Sequence, residues 1–275
     1  MIEALQFEFM RNALMAGLLA AVACGIVGVY VVVKRIVFIS GGIAHASFGG
    51  IGIGYYLGIN PIIGALVFSL ASGLAIGGIT RKTRLSADTA IGILWAVGMA
   101  VGIIFIYLTP GYAPDLMSYL FGNILTVPMT DIYLMLGLDL VIISIVTIFF
   151  KEYLILSFDE EYATAIGMPV DILYFLLLAM IALTVVVLIR VVGMILVIAL
   201  LTFPAAMARL FTYDMKKMMI LSVIFGFLFT LGGLWISYEL NLPSGATIIL
   251  LGGVVLALAF GVSRLFVKKA APDKE

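Results

Sequence analysis

The sequence predicts an all-α fold, a polytopic transmembrane helix bundle with about nine spans. Three observations support this prediction. Hydrophobic residues make up 64% of the 275 positions and charged residues only 11%, whereas a soluble domain is about half apolar and about a quarter charged. Apolar runs long enough to cross about 30 Å of hydrocarbon recur from end to end. The basic residues fall almost entirely on alternate connections between these runs.

The apolar runs define nine candidate spans in a single transmembrane domain, residues 1–275. Two runs meet at Arg190 with almost no polar break, so a bundle of eight spans is possible. The candidate spans are residues 12–33, 39–58, 61–80, 88–109, 131–150, 171–190, 192–213, 218–238 and 244–267.

The lysines and arginines predict the orientation, because cytoplasmic loops are enriched in them. With nine spans, every Lys and Arg except Arg11 and Arg190 falls on one side of the membrane. This side is therefore predicted to be cytoplasmic, and it includes the segment 157–169. The segment 110–130 is predicted to be external and to form a short interfacial helix. The apolar face of that helix would consist of Leu116, Tyr119, Leu120, Ile124 and Leu125.

Several functional classes are disfavoured by composition. The net charge is zero, from 15 basic and 15 acidic residues, and no basic stripe suggests nucleic acid as a partner. Cys24 is the single cysteine, so no internal disulfide is expected. The N-terminus lacks the features of a cleaved signal peptide, so the first run is expected to be a retained helix. No G-x-x-x-x-G-K-[ST] motif occurs, so the chain is not expected to hydrolyse ATP by a P-loop.

The second run carries rows of glycines around the single histidine of the chain. Gly50 and Gly54 are four residues apart, and Gly41, His45 and Gly49 form a second row at the same spacing. Glycine rows let membrane helices approach closely. We therefore expect these glycines to pack against neighbouring helices, with protein surrounding the second span.

Two ionisable residues inside the predicted spans are candidates for a translocation path. His45 lies well inside the membrane, where ionisable groups are usually paired or functional, and imidazole is a ligand for zinc and iron. A buried histidine that hydrogen-bonds a backbone carbonyl or Ser47 explains the position equally well. Asp139 in the fifth run is the second candidate, and a hydrogen-bonded structural role is its alternative.

The segment 157–169 contains the signals of a short capped helix. Ser157 or Asp159 is placed to cap its start, Gly167 to end it and Pro169 to stop it. A short helix between two spans on the cytoplasmic side is typical of a docking site for another protein. The alternative is a simple surface connector.

Over nearly its full length the chain resembles the permease subunits of bacterial and archaeal ABC importers for zinc, manganese and iron. Several separate motifs carry the resemblance and occur in the family's order. They are the helix around His45, residues 88–93, residues 119–122, Phe158 and Asp159 with Ala163 and Gly167, residues 192–197 through 204–206, and residues 243–246.

The resemblance implies a function and a set of partners. The chain would provide the path for a divalent metal ion, the transported substrate, across a prokaryotic cell membrane, with no bound cofactor. Its partners would be separate cytoplasmic ATP-binding cassette ATPase subunits, an external metal-binding protein and a second copy of the chain. The residues implied to couple to the ATPase are Phe158, Asp159, Glu160, Ala163 and Gly167.

One departure from the family pattern concerns the metal. Family members often place an aspartate four residues before the histidine, on the same helical face, and Gly41 occupies that position here. The departure weakens the metal assignment and leaves two alternatives open. One is a permease for a metal chelate or other small solute. The other is an ion-gradient-driven secondary transporter, which would need intramembrane carboxylates and broken helices at repeat-related positions.

Overall fold

The computed structural model describes residues 6–110 and 122–270 and shows a bundle of α-helices. These residues contain ten α-helices and one short 3₁₀ turn, Ile124–Thr126. The helices are α1 (Glu8–Val33), α2 (Val37–Tyr56), α3 (Pro61–Lys82), α4 (Ala87–Leu108), α5 (Met129–Ile148), α6 (Phe150–Phe158), α7 (Glu160–Ala165), α8 (Val170–Phe211), α9 (Met215–Leu240) and α10 (Ser244–Ala270).

The prediction of nine spans is confirmed within the described residues, because α8 contains two of them. Gly193 interrupts α8 with φ 77° and ψ 157°, a conformation that glycine adopts at little cost. The break lies close to the boundary between the spans Val170–Ile189 and Val191–Phe211. The nearly continuous apolar sequence around Arg190 is therefore two helices, and the alternative of eight spans is not adopted.

Capping residues fix several helix starts that the sequence leaves uncertain by a few positions. Asn60 accepts a hydrogen bond from the backbone two residues on, and Pro61 is the first residue of α3. Ser86 accepts from the backbone N–H of Thr89 at the start of α4. Asp88 lies in the first turn of α4, where the helix dipole favours a carboxylate.

Helices α1, α2 and α8 form the interior of the bundle. α1 packs on α5, α8 and α9, whereas α2 packs on α3, α4 and α8. Among the spans α2 is the most buried, and α4 and α10 are the least buried. The apolar outer faces of α4 and α10 therefore need lipid or another membrane-embedded protein against them.

The described part of the external segment differs from the predicted interfacial helix. Ile124 lies in a 3₁₀ turn and is buried, with 1% of its surface exposed. Asn123 starts the turn by accepting a hydrogen bond from the backbone of Leu125. Gly122, with φ 62°, is packed closely against the break in α8. Ile124 therefore faces protein and not the membrane interface; the predicted face residues Leu116, Tyr119 and Leu120 lie outside the described residues.

Candidate functional site

His45 lies in the middle of α2 and stacks on an aromatic residue of α4. Its imidazole is half-buried and lies nearly parallel to the indole of Trp95, with ring centroids 4.0 Å apart and an interplanar angle of 8°. Nδ1 of His45 is buried and has no hydrogen-bond partner among the described residues. The hydroxyl of Ser47 donates to the carbonyl of Ala44, 2.6 Å away. The imidazole is therefore held by stacking on one face, and Nδ1 is left without a hydrogen-bond partner among the described residues.

Three glycines around His45 bring α2 close to α3. A Cβ at Gly50 would overlap the backbone of Gly64 in α3, and one at Gly54 would meet Pro61 at 2.8 Å. At Gly49 a Cβ would meet the ring of Phe68 in α3 at 2.6 Å. Gly50 and Gly54 need glycine because backbone atoms occupy the space, whereas at Gly49 the Phe68 ring would have to move.

Gly41 differs from the other glycines of α2. A Cβ built there would lie 3.7 Å from the end of the Ile198 side chain, an ordinary van der Waals distance. By contrast, a Cβ at Gly42 would lie 2.5 Å from Ile91. Position 41 therefore has room for the first atom of a side chain on the face that carries His45.

Asp139 lies in α5, in a different part of the bundle from His45. Only 3% of its surface is exposed, and neither carboxylate oxygen has a hydrogen-bond partner within residues 6–110 and 122–270. α5 packs on α1 and α8, whereas α2 packs on α3, α4 and α8. The two predicted path residues are thus not brought together. No cluster of three or more His, Cys, Asp or Glu side chains suited to a metal occurs in the described part of the chain.

The segment 157–169 contains the predicted short helix, α7, with its ends where the sequence placed them. The carboxylate of Asp159 accepts from the backbone of Tyr162 at 2.8 Å and caps the start. The hydroxyl of Ser157 instead donates to the Tyr153 carbonyl. Gly167 adopts φ 80° and donates to Thr164, while the next backbone N–H donates to Ala163. These two bonds form the Schellman motif that ends a helix at glycine.

Ala163 was expected to contact the ATPase, but the structure places it inside the chain, with 0% of its surface exposed. The exposed large side chains of this region are Phe158 (64%), Tyr162 (54%) and Ile166 (49%). Phe158 ends α6, Tyr162 lies in α7 and Ile166 directly follows α7, so the three side chains are exposed along one short cytoplasmic segment. We call these three residues the apolar docking face.

Four charged residues connect α7 to the ends of three spans, and we call them the charged corner: Lys34, Arg81, Glu160 and Asp171. Glu160 accepts from Arg81 at 2.7 Å and from Lys34 at 3.4 Å. Arg81 also pairs with Asp171 and lies over the Tyr174 ring, 4.5 Å from its centroid. The Lys34 ammonium donates to the Leu156 carbonyl at 2.9 Å.

The charged corner is partly shielded from water. The side chains of Lys34 and Arg81 are 9% and 25% exposed. Burial lowers the pKa of Lys34, and the neighbouring Glu160 carboxylate opposes this effect. Partial burial strengthens charge interactions relative to those on a fully exposed surface.

Several of these residues were not singled out by the sequence. Trp95 reads as one more apolar residue of the fourth run, and Lys34, Arg81 and Asp171 read as ordinary span-flanking charges. One signal was present: Lys34, Arg81 and Asp171 all lie at span ends on the predicted cytoplasmic side, the side of the acidic segment that contains Glu160.

Comparisons with known proteins support a common family for the whole chain. The model of the ABC 3 transport family matches residues 6–263. An uncharacterized membrane protein of Synechocystis sp. is 52% identical over 262 residues, which cover 94% of this chain and 93% of the relative. The manganese transport system membrane protein MntC of Listeria monocytogenes is 36% identical over 256 residues, covering 93% and 91% of the two chains.

A solved structure has the same architecture. A chain in the structure of PsaBC from Streptococcus pneumoniae in complex with Fab aligns with a TM-score of 0.84 and 36% identity, covering 94% of both chains. The nine spans agree with a multi-pass protein of the cell membrane. The chain therefore belongs to the ABC 3 transport family.

Proposed function

We propose that this chain is the permease subunit of an ABC importer that carries a divalent metal ion, with manganese as the first candidate. The observation that carries the proposal is the family match over residues 6–263 in a nine-span bundle. A relative that covers nearly the whole chain is named as a manganese transport membrane protein. The family's importers work with separate ATPase subunits, an external binding protein and a second permease copy, and we propose the same partners here.

We place the metal path beside the face of α2 and α4 that carries His45 and Trp95. α4 is among the least buried spans, so a second copy could cover this face and enclose a path between two symmetric surfaces. One imidazole from each copy would then meet the ion. Weak coordination suits a path, because an ion that binds too tightly cannot leave.

We propose that the apolar docking face receives the ATPase. Phe158, Tyr162 and Ile166 lie outside the spans and expose apolar surface where the surroundings are predicted to be aqueous. Exposed apolar patches away from lipid commonly mark protein contacts. In this arrangement Ala163 supports α7 from behind and does not touch the partner.

The charged corner would transmit the motion of the ATPase to the path. Glu160 belongs to α7, and its partner Lys34 lies in the turn just before α2 begins at Val37. Because His45 lies on α2, a displacement of α7 would move the helix that carries the imidazole. Arg81 and Asp171 would carry the same displacement to α3 and α8. Rigid helices linked by short charge contacts are suited to alternating access by small helix shifts.

Uptake by the reconstituted assembly tests the proposal. The chain would be placed in vesicles with its ATPase and external binding protein, and uptake of Mn²⁺, Zn²⁺ and Fe²⁺ would be measured with ATP or with a non-hydrolysable analogue. We expect ATP-dependent uptake of a divalent metal, with Mn²⁺ strongest. Metal uptake that follows an ion gradient without ATP would contradict the importer mechanism, and uptake restricted to chelated metal would change the cargo.

A further inference from the structure

A groove on the outer surface of the bundle lies between α1, α5, α6 and α9. Its volume is about 940 Å³, and it reaches the end of the bundle where α5 meets α6. The walls are apolar and come from three spans. They include Val22 and Ile26 of α1, Ile143 and Val146 of α5, and Ile220 and Ile224 of α9.

The mouth of this groove is charged. Lys151 and Lys216 line it from α6 and α9, together with Glu152. The ammonium of Lys216 lies 4.9 Å from the centre of the Phe150 ring, which draws it toward the groove. None of the ion pairs formed between described residues involves these three charged side chains. The mouth thus offers two ammonium groups and one carboxylate, a single net positive charge.

We propose that this groove binds an anionic phospholipid of the leaflet on the predicted cytoplasmic side. Hydrocarbon chains would lie against the apolar walls, and the headgroup phosphate would lie between Lys151 and Lys216. Phosphate is attracted to lysine as a point charge, and basic pockets between spans at the cytoplasmic surface are suited to anionic headgroups. Glu152 disfavours a second anion at the same mouth, so one lipid is bound per groove.

The shape of the bundle favours a lipid over a second copy of the chain as the occupant. α4 and α10 are the least buried spans, and neither lines the groove. The larger apolar surfaces available to a second copy therefore lie elsewhere. The groove combines a recessed apolar wall with a charged rim at one end, which matches a molecule with a hydrocarbon tail and an anionic head.

Lipid titration of the purified full-length chain tests this site and does not depend on the identity of the cargo. Adducts with phosphatidylglycerol and phosphatidylcholine would be counted by native mass spectrometry. We expect phosphatidylglycerol to bind more tightly than phosphatidylcholine, and each lysine to contribute about fivefold to that preference. The double variant Lys151→Gln/Lys216→Gln should lose the preference. Lys217→Gln is the matched control for Lys216→Gln alone, because each removes one charge and Lys217 is an exposed neighbour that does not line the groove.

A second variant separates lipid from free phosphate. Ile220→Trp fills the groove without changing charge, and it should weaken binding of both lipids about tenfold. Inorganic phosphate at millimolar concentration should not displace bound phosphatidylglycerol. Equal phosphatidylglycerol binding by the wild type and the double lysine variant overturns the proposal. The proposal is also overturned if inorganic phosphate displaces bound phosphatidylglycerol. It is likewise overturned if the groove variants lose the dimer while lipid adducts persist.

Discussion

The charged corner and the ionisable residues inside the spans differ in how their charged groups are paired. At the corner, Glu160 pairs with Lys34 and Arg81, and Arg81 also pairs with Asp171, although Nε of Arg81 is buried without a hydrogen-bond partner among the described residues. Inside the spans, Nδ1 of His45 and both oxygens of Asp139 are buried without a hydrogen-bond partner in the part of the chain that the structure describes. A buried polar group without a partner costs about 1–3 kcal/mol.

The difference indicates different roles for the two regions. Mutually paired charges hold the ends of α1, α3, α7 and α8 in one arrangement, as is suited to a mechanical connection. Polar atoms without partners inside a membrane are expensive, and they are expected where a group must remain free to meet a ligand or change partners. Substitutions inside the spans should therefore impair metal transport more than substitutions at the charged corner.

Loss of the imidazole inside the spans should have the largest effect. We predict that His45→Ala lowers metal uptake at least about tenfold, because the path loses its nitrogen ligand. The variant should still fold, since Nδ1 makes no hydrogen bond within the described residues. Uptake in reconstituted vesicles measures the effect. Trp95→Phe is the control, because it keeps an aromatic face for stacking. Unchanged uptake by His45→Ala would reduce His45 to a packing residue.

Substitutions in the apolar docking face should have the next largest effect, because they weaken binding of the ATPase and leave the metal path unchanged. Tyr162→Glu adds a charge to an exposed aromatic position and should weaken binding of the ATPase about tenfold or more. Tyr213→Glu is the matched control, because Tyr213 is also exposed, at 79%, and lies between α8 and α9 on the same predicted side. Co-purification with the ATPase measures the difference. Equal loss in both variants would contradict a specific docking face.

Breaking the charged corner should uncouple ATP hydrolysis from transport while the ATPase remains bound. Glu160→Ala removes the partner shared by Lys34 and Arg81 and should lower metal uptake per ATP hydrolysed by several-fold. The effect on stability should be small, about 1 kcal/mol, because Glu160 is 44% exposed. Glu161→Ala is the control, as an exposed neighbour that takes part in none of the ion pairs of the described residues. Normal coupling in Glu160→Ala would leave the corner with a structural role only.

The two regions were also unequal in how far the sequence predicted them. The spans followed from runs of apolar residues, and the ends of α7 followed from Asp159 and Gly167, because both signals are local. The charged corner joins residues 79 to 126 positions apart, and no local pattern contains such pairings. Ala163 was assigned to the wrong side of α7, since a helix of six residues gives too little periodicity to show which face is buried.

Gly41 is less tightly packed than the other glycines of α2, and a substitution there should affect metal transport less than the loss of His45 does. Gly41 and His45 are four residues apart on one helical face, and a Cβ at position 41 meets only the end of the Ile198 side chain at 3.7 Å. We predict that Gly41→Asp tightens Mn²⁺ binding about tenfold, because a carboxylate joins the imidazole and manganese favours oxygen ligands. Tighter binding should slow release and lower uptake a few-fold. Equilibrium binding of Mn²⁺ to the purified protein measures the first effect, and vesicle uptake the second. Gly41→Asn is the matched control, because it fills the same space at position 41 without a carboxylate. The gain should also disappear in Gly41→Asp/His45→Ala if both groups bind the same ion. If Gly41→Asp still tightens Mn²⁺ binding after the loss of His45, the metal binds elsewhere on α2, and the imidazole is not a ligand for the cargo.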